Sequence, residues 1–212
     1  MFWERLNGIF RRRPPGASVP PERWVVIDCE TTGLDPRACH LLSVAAVAVR
    51  HGVIDPNDSF ESALRPQMLS DRGNVLVHGM GFGSQSSAPD PLIALTRLIR
   101  FIASAPVVAF HARFDQTVLM RALRAHCLSC PGPWLDLAQL APALIPNASA
   151  RALDEWLDLL HIPVFRRHTA VGDAFATAML LTMLQARARP AERSWHGLTA
   201  IASQSRWLTH NS

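Results

Sequence analysis

The chain contains no lysine and no tyrosine among its 212 residues. The first absence makes every one of its 21 Lys+Arg cations an arginine. A compositional bias of the source genome accounts for that. The physical consequence holds whatever the cause, because a guanidinium makes the two-pronged contact with phosphate that an ammonium does not. The second absence excludes any site that depends on a tyrosine. Cysteine is scarce as well, with four residues at positions 29, 39, 127 and 130. Cys127 and Cys130 have C-x-x-C spacing, but no second pair completes a zinc site. They read as plain loop cysteines of a reducing, cytoplasmic compartment. No apolar run reaches the ~20 residues that span a bilayer. The N-terminus does not read as a secretory signal, since Arg11, Arg12 and Arg13 follow the apolar residues instead of preceding them.

What is present is enough for a core. Hydrophobic residues make up 49% of the chain and charged residues 18%. That balance predicts one folded domain with short appendages. The net charge of +4 favours polyanionic partners. Residues 1–22 read as a basic amphipathic arm, with Phe2, Trp3, Leu6, Ile9 and Phe10 at helical spacing before a Pro-rich linker. The arm has three readings: packing on its own domain, docking on a partner, or lying on a membrane surface or nucleic acid. Residues 23–188 form the main body, and residues 189–212 a polar tail with no clear period.

Within the body, strands are expected at Trp24–Asp28, Leu41–Arg50, Phe60–Arg65 and Pro106–Phe110, with His51-Gly52 as a turn. Helices are expected at Leu92–Ser104, Asp115–His126, Leu153–Leu160 and Asp173–Ala188. The Gly- and Ser-rich stretch Asp71–Pro89 looks irregular. Strands come first and later alternate with helices, which implies an α/β domain with a mixed sheet.

Three separated segments carry the chemistry. Asp28 ends an apolar strand, and Glu30 faces the same side two residues on. Two carboxylates at a sheet edge suit a hard cation. Thr31-Thr32-Gly33 then turns the chain and offers backbone N–H groups to a terminal nucleotide. Asp115, in Phe110-His111-Ala112-Arg113-Phe114-Asp115, follows a strand and opens a helix; it is either a ligand or a helix cap. Asp173 opens the next long helix, with His168 five residues before it. Arg166 and Arg167 beside that histidine are surface residues or phosphate contacts, and Arg113 reaches a phosphate or faces solvent. Four clustered carboxylates cannot all ionise without cations, and this set is what two-metal phosphodiester hydrolysis requires.

Together the segments resemble the DEDDh family of 3′→5′ exonucleases, which includes the epsilon subunit of bacterial DNA polymerase III, RNase T and oligoribonuclease. Asp28 through Pro36 is similar to the family's D-x-E-T-T-G-L-D-P, the second segment to its H-N-A-x-F-D, and the third to its H-T-A-x-G-D-A. Phe110 and His111 depart from the usual His and Asn. The sister group with tyrosine in the last segment is excluded by composition, so His168 is the counterpart. The resemblance implies an RNase H-like fold, a five-stranded mixed sheet flanked by helices. It implies two Mg²⁺ or Mn²⁺ ions on Asp28, Glu30, Asp115 and Asp173, with His168 as general base. It also implies substrate contacts from Thr31, Thr32, Gly33 and Arg113. Leu34 stands where the family wedges an apolar side chain against terminal bases, or simply packs, and His78 belongs to a segment that lines the channel.

The expected function is therefore release of nucleoside 5′-monophosphates from the 3′ end of single-stranded or frayed DNA. The alternatives are an RNA exonuclease with the same centre, a polymerase-associated proofreading subunit, and a silent nucleic-acid-binding module, which lost carboxylates would favour. The arm or tail offers a possible contact to a polymerase or sliding clamp; Gln204–Leu208 matches a clamp-binding peptide poorly.

Overall fold

The computed structural model describes residues 23–65, 88–130, 132–164 and 167–209, the last five of these as backbone. The arm, most of the stretch expected to be irregular, His78 and Arg166 lie outside the described residues. Long apolar runs become strands covered on both faces. β1 (Arg23–Thr31) and β2 (Leu41–Arg50) are of this kind, and every residue of β2 except Arg50 is buried. A two-residue turn leads into β3 (Val53–Ala63). His51 and Gly52 both have positive φ there, 50° and 75°, the pattern whose twist matches an antiparallel hairpin. β4 (Val107–Ala109) and β5 (Trp134–Asp136) complete the sheet. The order is β3-β2-β1-β4-β5. β1 runs antiparallel to β2 and parallel to β4, and β4 is parallel to β5.

Among the described residues six helices flank the sheet: α1 (Pro91–Ile102), α2 (Ala112–Ala125), α3 (Leu137–Leu144), α4 (Leu153–Leu159), α5 (Ala170–Arg187) and α6 (Trp195–Thr209). β1 divides its side chains between two cores, because successive residues point to opposite faces. Val25, Ile27 and Cys29 pack with Leu95, Leu98 and Ile102 of α1 and Val118, Leu119 and Leu123 of α2. Trp24 and Val26 pack with Leu140 of α3, Trp156 of α4, Leu180, Leu181 and Leu184 of α5, and Leu198 of α6. The same alternation sends Asp28 and Glu30 toward α5.

Several expectations are corrected. α2 starts three residues before Asp115, and its N-cap is His111, in the left-handed region at φ 55°. Asp115 is thus not the cap; it lies in the first turn and is buried. α5 starts at Ala170, with Thr169 Oγ1 accepting from the Gly172 N–H at 3.2 Å. β5 and α3 were not identified individually; three residues are too short to show a period, and Pro142 interrupts α3.

The largest correction concerns residues 189–212. A 3₁₀ turn (Pro190–Glu192) leads into α6, which is part of the core. Leu198 has 0% exposure, and Trp195 meets Trp24 edge-on with ring centroids 5.4 Å apart. Gly197 explains both the packing and the weak sequence signal. A Cβ there would lie 2.3 Å from the Glu192 carbonyl oxygen, so a residue that weakens helical patterning is required where helix and turn touch. Leu198→Ala is expected to cost about 2–5 kcal/mol in a urea melt, whereas an exposed tail position would change stability by less than ~0.5 kcal/mol.

Candidate active site

The site forms where β1 ends. Asp28 pairs with Ala45 of β2 and Glu30 with Ser43, and the ladder slips after Glu30. Ala45, Ala170 and Ala174 pack together with no bulk between them, which lets the first turn of α5 approach the sheet beside Asp28. That approach delivers Asp173. Carboxylate oxygens of Asp28, Glu30 and Asp173 lie within 4.8 Å of one another.

Crowding of this kind raises the cost of ionisation. Burial, then repulsion from Asp115, Asp173 and Glu30, pushes the Asp28 carboxyl well above the usual carboxylate range. Burial and then Asp173 raise Glu30. Burial raises Asp173 too, against the opposing pull of Arg167. An all-oxygen donor set with this much repulsion fits a hard divalent cation.

Asp115 reaches the same end of β1 from the other face of the sheet. It is not one of the three acids that gather within 4.8 Å. Its carboxylate accepts from the Cys29 thiol and from the backbone N–H groups of Asp115 and Cys29. Burial still pushes it up to about 7. The alternation of β1 explains the pairing: Cys29 faces α2, while its neighbours face α5. In turn, burial and then Asp115 raise the Cys29 thiol.

His168 is exposed, in the left-handed region at φ 60°, immediately before the Thr169 cap. Its backbone N–H donates to the Asp173 carboxylate, and its ring lies close enough to help hold Glu30 and Asp173 down. Arg167 is a member of the site that the sequence left undecided. Its guanidinium donates to both Asp173 and Asp154 of α4, and its charge also bears on Asp28 and Glu30. The usable signal was its adjacency to His168. Asp154 carried none.

The loop after Glu30 is tied to itself. Thr31 Oγ1 donates to the Gly33 carbonyl at 2.6 Å. The Thr32 N–H donates to the His40 carbonyl at 2.9 Å, and the His40 N–H to Thr32 Oγ1 at 2.9 Å. The Thr32 N–H, expected to be offered to a nucleotide, is therefore engaged. Leu34 is 90% exposed. Arg113 is exposed and lines a cleft beside α2. In the departing Phe110–His111 pair the rings meet edge-on at 4.7 Å. The four cysteines are free, and Cys127 and Cys130 lie in the loop after α2.

A family model described as RNase_T, exonuclease, matches residues 25–181. The chain belongs to this exonuclease family. A DNA polymerase III subunit epsilon-like protein of Rhodobacter capsulatus is 32% identical over 171 residues, covering 77% of this chain and 24% of that protein. A PolC-type DNA polymerase III of Thermotoga petrophila is 28% identical over 176 residues, covering 82% of this chain and 13% of that protein. The chain thus spans a quarter or less of these relatives. Among solved structures, exonuclease X in complex with 5′ overhanging duplex DNA matches with TM-score 0.66 and 22% identity, over 82% of this chain and 99% of that one. Exonuclease I matches with TM-score 0.70 and 16% identity, over 81% of this chain and 42% of that one. These likenesses place the exonuclease domain in the RNase H-like fold. Among the described residues no helix is long and apolar enough to cross a membrane.

The raised carboxylates carry a pH signature. Asp115 holds its proton to about pH 7 when folded but releases it near ~3.9 when unfolded. Between those values the folded state binds the extra proton, so stability falls as pH rises; Asp28, Glu30 and Asp173 act with the same sign. In EDTA, the melting temperature is expected to fall from pH 5 to pH 8. Asp115→Asn should flatten that slope, and saturating Mg²⁺ should reduce it.

Proposed function

We propose that this exonuclease domain is a divalent-metal-dependent 3′→5′ exonuclease releasing nucleoside 5′-monophosphates from the 3′ end of DNA. The carrying observation is the meeting of Asp28, Glu30 and Asp173 within 4.8 Å at one strand end, with Asp115 behind them. Two Mg²⁺ or Mn²⁺ ions, when bound, would offset this charge and that of the phosphodiester and would acidify a water. Asp28, Glu30 and Asp173 would hold them, with Asp115 contributing from the opposite face.

His168 takes the proton of the attacking water. Its exposure keeps it accessible to that water, and the Asp173 carboxylate anchors its backbone. The oxygen–phosphorus bond forms as the bond to the departing 3′-oxygen breaks. That leaves a 5′-monophosphate and a strand one nucleotide shorter. Leu34, at the exposed tip of its loop, meets the terminal bases. Thr31, Thr32 and Gly33 shape that loop, and Arg113 meets phosphate.

DNA is the favoured substrate because the relatives named above are DNA polymerase III proteins and the exonuclease X structure holds DNA. The same names support association with a polymerase. Leu198 and Ala202 of α6 are buried in the core, so the arm and the end of the tail beyond them are the segments to test for that contact.

Asp28→Asn, Asp115→Asn and Asp173→Asn are each expected to lower turnover by several orders of magnitude while the far-UV spectrum is preserved. Near-normal turnover in any of them would refute the site. His168→Ala should lower turnover about 10²–10⁴-fold and leave Mn²⁺ binding by calorimetry largely intact. A panel of 5′-labelled single-stranded DNA, duplex DNA, mismatched ends and matched RNA decides the substrate; shortening from the labelled end would overturn the direction.

A further inference from the structure

We propose that Arg121 sets one wall of a cleft that takes the single-stranded nucleic acid upstream of the terminal nucleotide, and so governs recognition of substrates longer than one nucleotide. This rests on the exonuclease reading above.

Residues 32–40 leave the sheet after Thr31 and return to it at Leu41. The loop is organised internally. The Asp35 carbonyl accepts from the N–H groups of Ala38 and Cys39 at 3.0 and 2.8 Å, and its carboxylate from the Arg37 N–H at 2.9 Å. Its base is closed by the Thr32–His40 pair. What fixes its position against the rest of the molecule is a side chain of α2. Arg121 Nη1 donates to the carbonyls of Pro36 and Cys39, both at 2.9 Å. A single guanidinium nitrogen thus serves two backbone acceptors of one loop. Arg121 stands on the helix that carries Asp115, so the loop bearing Leu34 is tied directly to the element that builds the site.

Between that loop and α2 lies a cleft of about 660 Å³, within the ~300–1,000 Å³ typical of ligand sites. Pro36 and Arg37 line it from the loop, His111 from the N-cap of α2, and Arg113, Phe114 and Thr117 from the helix itself. Arginines flanking a ring, with Leu34 bare at the loop tip, are the surface that single strands use: cations for the backbone and apolar faces for bases. Asp136 also lines the cleft, but its carboxylate caps α3 by accepting from the Ala138 N–H at 3.0 Å. That bond turns part of its charge away from a phosphate. Arg121 itself does not line the cleft. It acts by holding the loop that does, as a positioning residue.

The test compares two substrates in Mg²⁺: the p-nitrophenyl ester of thymidine 5′-monophosphate, which has no upstream strand, and oligothymidylates of increasing length. For Arg121→Gln, the ratio of kcat/KM on the oligomer to that on the ester should fall about tenfold, equivalent to ~1.4 kcal/mol, mostly through KM. Arg121→Lys, which keeps a donor on the same stem, should recover much of it. In Ca²⁺, anisotropy of a labelled oligothymidylate should show weaker binding by Arg37→Ala and Arg113→Ala. Each should have a salt slope shallower by ~0.7 per lost phosphate contact. Equal losses on ester and oligomer, or an unchanged ratio, would overturn the role of Arg121. Unchanged oligomer binding in both cleft variants would overturn the cleft. Wild-type protein inert on both substrates would instead overturn the hydrolytic reading on which it rests.

Discussion

Carboxylates forced together at the end of one buried strand are the constraint to which the surrounding structure answers. Asp28, Glu30 and Asp173 share a space of 4.8 Å, with Asp115 bearing on Asp28 from behind. In a core this arrangement is costly, because each ionised group has lost water and gained a like charge. The fold supplies partial answers. Asp173 lies in the first turn of α5, where the helix dipole favours an anion. Arg167 sits against it and is shared with Asp154. Asp115 draws hydrogen bonds from Cys29. None of these fully offsets the repulsion, and the residual is a standing preference for a divalent cation.

The alternation of β1 is how one short segment serves both sides of the sheet. Asp28 and Glu30 turn to the face of α5, and Cys29 between them turns to the face of α2. Because β4 lies parallel beside β1, the chain leaving β4 enters α2 at the same edge and brings Asp115 to it. Helices on opposite faces then converge on one strand end, which is where open α/β sheets place their ligands. The left-handed backbone at His111 and at His168 marks the two corners where loop becomes helix and the acids are delivered.

Much of this was legible in the sequence. β2 appears with its expected bounds, Leu41–Arg50, because a ten-residue run with only Ser43 and Arg50 polar, ending at a His-Gly turn, admits few other readings. The acids of three distant segments were legible because their residue types and order carry a chemistry. Their division between two faces was less so. It depends on which way Cys29 points, and that is set by packing with α1 and α2. β5 and α3 were hidden by brevity and by Pro142. α6 was hidden because its contact with the core rests on few large residues, Trp195 and Leu198 foremost, with Gly197 breaking the pattern between them. Asp154 was invisible since its role requires Arg167, which arrives from another loop.

The absence of lysine acquires a structural meaning at three places. Arg23 holds Asp58 with two nitrogens, at 2.7 and 2.9 Å, while its guanidinium lies 4.6 Å from the centre of the Phe101 ring. Arg121 spans two carbonyls. Arg167 spans two carboxylates. Arg23 and Arg167 reach their acceptors with different nitrogens, which a planar fork does with little loss of freedom and a point charge does poorly; Arg121 serves both of its carbonyls with one nitrogen. Whatever supplies the arginine, the fold uses its shape. Composition alone would predict only a mildly basic surface. These cations instead work at the partly or fully buried joints of the molecule: Arg23 at the start of β1, Arg121 between loop and helix, and Arg167 beside the acids.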